Sequence, residues 1–184
     1  MYHRSGEFFL PQTVNIPVSL YKSVQGKYFT GYADNLIYTG PNISAWASLY
    51  NPINSDVNLH VNVWTVTSLY SVFRAQIWFN ASLPGKPMQS EFVTTSNLAI
   101  EPTRRPRVKL LYADNVTGEP TGIKAFVRRG DAESTIVAEE DGKFIFAPGG
   151  SFTVFLSHPE NPDARAEGRV AFGWWEEPIW PKYK

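Results

Sequence analysis

The chain has 184 residues, 43% hydrophobic and 18% charged, with 17 lysines and arginines against 17 aspartates and glutamates and no cysteine. So few charges beside so much apolar matter describe a folded chain able to bury one large core. A net charge of zero excludes a long-range field for nucleic acid or an anionic membrane and tolerates self-association, while the lack of cysteine excludes disulfides, thiolate metal sites and a cysteine nucleophile.

The start, MYHRSGEFFLPQTVNIPVSL, carries apolar residues and prolines without sustained alternation. Residues 1–20 therefore read as an extended N-terminal arm lying on something, with Phe8, Phe9, Leu10, Val14, Ile16, Val18 and Leu20 as its apolar contacts. Pro11, Gln12, Asn15 and Pro17 interrupt any apolar h-region, so no ordinary secretory signal is expected. The expected location is a cell or spore surface or extracellular assembly reached by a non-classical route, or alternatively a virion. No run of about 18 apolar residues predicts a membrane span.

Residues 21–177 are expected to form the body and 178–184 a C-terminal tail. SAWASLYN sets Ala45, Ala47 and Leu49 opposite Trp46 and Tyr50, and Asn51-Pro52 ends it. VNLHVNVWTVT sends Val57, Leu59, Val61 and Val63 to one face and Asn58, His60, Asn62 and Trp64 to the other, the period of a half-buried strand. FRAQIWFN repeats this, with Trp78 away from the aliphatic row. Met88 to Pro106 reads as the longest irregular connection.

RVKLLY, IKAFVRR, STIVAE, KFIFA, SFTVFLS and GRVAFGWW follow as short strands. Gly118, Gly122, Gly130, Asp141-Gly142 and Pro148-Gly149-Gly150 supply the turns between them. In the last strand Val170, Phe172 and Trp174 fit the inward row and Trp175 faces outward, before Pro178 and Pro181 stop the ladder. Eight or more strands without helices predict an all-β, jelly-roll-like antiparallel β-sandwich.

The chemistry-bearing residues do not assemble into a motif. His60 on a polar strand face reads as solvated or cross-strand bonded rather than as a ligand, and His158 in HPENPD lacks the spacing of a calcium loop. Glu139, Glu140 and Asp141, and Glu176 and Glu177, are sequence neighbours that point to opposite strand faces, so neither group makes a facing carboxylate pair. Arg104 to Arg107, RRPR, reads as a solvated basic loop. Asn42, Asn80 and Asn115 head Asn-x-Ser/Thr triplets at near-chance frequency. No catalytic, cofactor or metal residue is assigned, and no enzymatic activity is expected.

The aromatic surface candidates are Trp46, Trp64, Trp78, Trp175 and Trp180, each read as standing off the main aliphatic rows or in the tail. They either roof the protein's own sheets, meet another subunit, or stack on a glycan. At LYNPINSDVNLHVNVWTVTS, FRAQIWFNA, EEDGKFIFAPGGSFTVFL and RVAFGWWEE, over most of residues 20–178, the chain resembles a family of uncharacterised small β proteins of spore-forming bacteria, a domain of unknown function. More loosely, the architecture is similar to jelly-roll subunits of endospore appendages, which assemble by strand complementation and lock through cysteines that this chain lacks.

The expected function is a structural, self-assembling subunit of a filament, spore-surface layer or other extracellular assembly, its partners being copies of itself joined by arm exchange and sheet-edge pairing. The alternatives are a carbohydrate-binding or surface-ligand module and a phage virion protein.

Overall fold

The computed structural model describes residues 13–158 and 163–179. One short helix, α1 (Val18–Val24), precedes eleven strands: β1 (Tyr28–Ile37), β2 (Ile43–Tyr50), β3 (Val57–Ser68), β4 (Phe73–Ser82), β5 (Met88–Gln89), β6 (Val93–Thr95), β7 (Lys109–Thr117), β8 (Thr121–Gly130), β9 (Thr135–Phe146), β10 (Ser151–Ser157) and β11 (Glu167–Pro178). They form a five-stranded sheet, β6-β1-β11-β3-β9, and a six-stranded sheet, β5-β7-β2-β10-β4-β8.

The pairings are nested. β1 lies against β11, β2 against β10, β3 against β9 and β4 against β8, all antiparallel. A long hairpin folded over so that its successive pairs alternate between two sheets is the jelly-roll wrap. The inserted segment between β4 and β8 adds β5, β6 and β7 to one side of the sandwich. The expected irregular connection, Met88 to Pro106, thus holds two short strands.

The core lies between the sheets, where the predicted aliphatic rows meet: Ala45, Ala47 and Leu49 of β2, Phe73, Ala75 and Ile77 of β4, and Val170, Phe172 and Trp174 of β11 are all buried there. Phe152 of β10 is their aromatic centre, in ring contact with Trp64, Phe79, Phe144, Phe146 and Phe172.

Four sequence expectations change. Val18 and Leu20 belong to α1 and not to an extended arm; the helix follows Pro17, whose fixed φ of −56° suits a helix start. β1 was not predicted, because a register shift between Ala33 and Leu36, with Asn35 at φ 54°, breaks its alternation. STIVAE and KFIFA are one strand, β9: Asp141 and Gly142 take positive φ inside it and make a bulge rather than a turn.

The fourth concerns Trp64. Val61 and Val63 of β3 pair with Trp174 and Gly173 of β11, so Asn62 is an extra residue on β3. A bulge inverts the faces beyond it: Val63 turns outward, and Trp64 and Val66 turn into the core.

The three asparagines of the Asn-x-Ser/Thr triplets share one backbone role. Asn42, Asn80 and Asn115 have φ of 59°, 49° and 48°, the left-handed region that asparagine enters more cheaply than branched residues.

Candidate functional site

Each described tryptophan among the surface candidates is covered by its own chain, which corrects their reading as surface residues. Trp64 is fully buried, and its indole N–H donates to Glu140 Oε1 at 3.1 Å, a carboxylate that also holds Lys143 Nζ at 2.7 Å. Trp46 and Trp78 do face away from the main core, as expected, but with Phe155, Ala113 and Val116 they form a second cluster on the outside of the six-stranded sheet. The segment after β4 covers it: Trp46 Nε1 donates to the Pro84 carbonyl at 2.8 Å, and Gly85 sits so close to Val116 that a Cβ there would overlap it. Lys124 Nζ lies 4.7 Å from the centre of the Trp78 ring.

Trp175 faces outward from β11, stacked on His60 with ring centres 5.2 Å apart and roofed by Gly142 of the β9 bulge. His60 Nδ1 lies 3.2 Å from the Gly142 carbonyl, and burial pulls its pKa below the ordinary imidazole value. These four indoles present no open face for a sugar ring. Trp180 lies outside the described residues, as do Phe8, Phe9 and Leu10.

The outer face of the five-stranded sheet contrasts with that of the six-stranded one. A groove of about 510 Å³ crosses β6, β1, β11 and β3, lined by Tyr32, Val63, Thr65, Phe92, Ala171 and Gly173 among others. Its floor is low over the small side chain of Ala171, and Gly173 beside it makes room for Val63 and the Tyr28 hydroxyl, which a Cβ there would overlap; that hydroxyl accepts from Asn62 Nδ2 at 2.8 Å. At one rim Tyr32 and Phe92 stack at 4.8 Å, and Phe92 is 58% exposed. An exposed apolar groove with an aromatic rim is the usual form of a contact surface.

The sheet edges are unequal. One side of the sandwich ends in β5 and β6, of two and three residues. The other ends in β8 and β9, of ten and twelve residues, each paired on one flank only. Ile123 and Val127 of β8 and Val137 and Ile145 of β9 are exposed. β8 also carries Lys124, Arg128 and Arg129, and β9 carries Glu139, Asp141 and the Glu140–Lys143 ion pair, of which Glu140 is buried.

The described part of the arm, residues 13–17, is exposed throughout, with Val14 at 79% and Ile16 at 47%. Its anchor is α1. Lys22 and Lys27 both hold Glu177 at the end of β11, and Ser23 bonds Ser96 Oγ at 2.8 Å. Burial alone would raise the Glu177 pKa, but the two ammonium groups outweigh it and hold it below the ordinary carboxylate value.

The neighbouring Glu176 is buried and braces the RRPR loop: its carboxylate accepts from the amides of Arg107 and Val108, each at 2.9 Å. Burial pushes its pKa up, against the opposing pull of those amides. Arg107 Nη1 donates to the Ser55 carbonyl at 2.7 Å, so this arginine braces the loop while it, Arg104 and Arg105 stay exposed, as a solvated basic loop requires. Among the described residues no three His, Asp or Glu side chains converge in a way that could hold a metal ion, and no helix is long and apolar enough to cross a membrane. Of the HPENPD loop, residues 159–162 lie outside the described residues.

Sequence reasoning missed the groove. Its signal was present only as small outward residues, Ala171 and Gly173, on a strand expected from its alternation, and two of its four strands, β1 and β6, were not expected. No curated protein and no solved structure matches the chain. The model of a family described as a family of unknown function (DUF6143) matches residues 3–182. With nearly the whole chain matched, from the arm to the tail, the protein belongs to that family of unknown function.

Proposed function

We propose that this chain is a structural, non-enzymatic subunit that assembles with copies of itself into a filament, spore-surface layer or other extracellular assembly, joined by its N-terminal arm and by pairing of sheet edges. The observation that carries the reading is the asymmetry of the sandwich. A sandwich that stays alone keeps its edges short, bulged, charged or covered. Here β5 and β6 are blunted by shortness, whereas β8 and β9 run ten and twelve residues and, although charged and in β9 bulged at Asp141-Gly142, leave Ile123, Val127, Val137 and Ile145 exposed along them.

The charges on those edges also favour pairing between copies, since basic β8 and acidic β9 complement each other. Because β8 and β9 end the same side of the sandwich, a contact joining β8 of one copy to β9 of the next is satisfied reciprocally and closes as a two-fold pair, and growth beyond the pair falls to the arm, a heterologous contact. The family match begins at residue 3 and so includes the arm, which supports treating the arm as part of the working unit. Zero net charge leaves copies without mutual repulsion.

Negative-stain microscopy of the purified protein tests this. Filaments, rings or sheets are the expected result; a field of uniform particles of single-chain size at every concentration would contradict it.

A further inference from the structure

We infer that the groove on the outer face of the five-stranded sheet is the acceptor for the N-terminal arm of a second copy of this chain. The inference rests on the self-assembly proposed above and names the site where one of its two contacts is made.

The two outer faces of the sandwich differ in what lies on them. On the six-stranded sheet the apolar outer residues Trp46, Trp78, Ala113, Val116 and Phe155 are roofed by the chain's own segment around Leu83 and Pro84. On the five-stranded sheet the groove over Val63, Thr65, Ala171 and Gly173 has no such roof among the described residues, and its aromatic rim of Tyr32 and Phe92 is exposed. Uncovered apolar surface in a trough of this kind is stabilised by an apolar segment that fills it.

The arm has the matching chemistry and more than enough length to cross the groove. Phe8, Phe9, Leu10, Val14 and Ile16 fall within nine residues, which span about 30 Å when extended. The groove crosses from β6 to β3, three interstrand steps or about 14 Å. Pro11 in this stretch does not obstruct such docking, because a segment lying across a sheet face needs no ladder hydrogen bonds.

Two observations select a second copy over the arm's own body. Residues 13–17, the part of the arm nearest the body, are all exposed, and none of them lines the groove. α1, which residues 13–17 precede, is pinned at the sheet's end through Glu177, Ser96 and Asn97, so these residues start from a fixed point that is not part of the groove.

The lack of native cysteine makes a crosslinking test clean. Val14→Cys and Thr65→Cys single variants, carrying different tags, are mixed in urea, refolded together and treated with a short bismaleimide, which tolerates a residue or two of register. The expected result is a heterodimeric crosslink bearing both tags, and at least a tenfold weaker one when Thr65→Cys is replaced by Val127→Cys on the β8 edge. An Ala171→Glu change in the Thr65→Cys partner, placing a charge on the groove floor, is expected to abolish the crosslink while leaving the circular dichroism and urea midpoint of a folded sandwich.

A crosslink that forms only within a single chain carrying both cysteines, and never between tagged copies, would overturn the inference in favour of an arm folded on its own body. Absence of any groove crosslink in a sample that light scattering shows to be assembled would overturn the inference and leave the edge-pairing part of the proposed function standing. Absence of both crosslink and assembly would overturn the proposed function as well.

Discussion

The indole of Trp175 lies nearly parallel to the imidazole of His60, ring centres 5.2 Å apart and planes 13° from parallel, and the outer edge of its six-membered ring occupies the space that a side chain on Gly142 would need. The bulge of β9 is therefore a seat for a ring. Gly142 also sits at φ 73°, so Gly142→Ala both strains the backbone and overlaps the indole. The expected loss is roughly 2–4 kcal/mol. Urea unfolding checks it, and a variant as stable as the parent would contradict this account of the bulge.

Trp64 offers a second test, because its position in the core depends on the extra residue Asn62 in β3. Trp64→Phe keeps a ring in the core but removes the N–H that Glu140 accepts. Weakening the pairing of a buried carboxylate is expected to cost about 1–3 kcal/mol, and Trp64→Ala about 3–5 kcal/mol. Both are read as urea midpoints; a neutral Trp64→Ala would place this indole at the surface.

The adjacent Glu176 and Glu177 are expected to act on stability with opposite signs. Glu177 has a folded pKa below its ordinary 4.5, so the unfolded state binds the proton more tightly. Its contribution is present above about pH 4.5 and is lost as pH falls through the folded value. Glu177→Gln is expected to cost up to about 1 kcal/mol at neutral pH, the range of a partly exposed ion pair, with the difference from the parent closing in acid.

Glu176 has a folded pKa above 4.5, so the native state binds the proton more tightly, and stability falls as pH rises from about 4.5 through the folded value. Glu176→Gln is expected to remove that decline. Urea midpoints across pH 3 to 8 separate the two; parallel curves for the parent and both variants would contradict the assignments.

With Trp46, Trp64, Trp78 and Trp175 covered by their own chain, a Trp180→Phe variant titrated with a panel of glycans is expected to give unchanged tryptophan emission. A saturable change in that variant would show that one of the covered rings opens to a ligand.

Much of the fold was legible because strand period two survives wherever pairing is regular. β2, β4 and the inward row of β11 came directly from alternation. What failed did so at register shifts: Asn62 turned Trp64 inward, Asn35 hid β1, and Asp141-Gly142 mimicked a hairpin turn while remaining inside β9. A bulge and a turn use the same left-handed residues, so only the cross-strand partner distinguishes them.

The outer faces were harder to read than the core. Alternation places Trp46 and Trp78 off the aliphatic row but does not say what roofs them; the segment bearing Pro84 does so through contacts some 40 residues from Trp46. The groove arises where four strands distant in sequence bring small residues together, a juxtaposition that no single stretch encodes. The broken pattern of residues 1–20 led to an extended arm lying on something; of it residues 13–17 are exposed, Val18 and Leu20 belong to α1, and residues 1–12 lie outside the described residues.

Light scattering coupled to size exclusion, applied to the full chain and to a chain lacking residues 1–17, tests the central claim most directly. The account predicts a mass well above the 20.7 kDa of one chain for the full protein, rising with concentration, and a marked fall in that mass once the arm is removed. A mass of one chain for both proteins across the concentration range would contradict it.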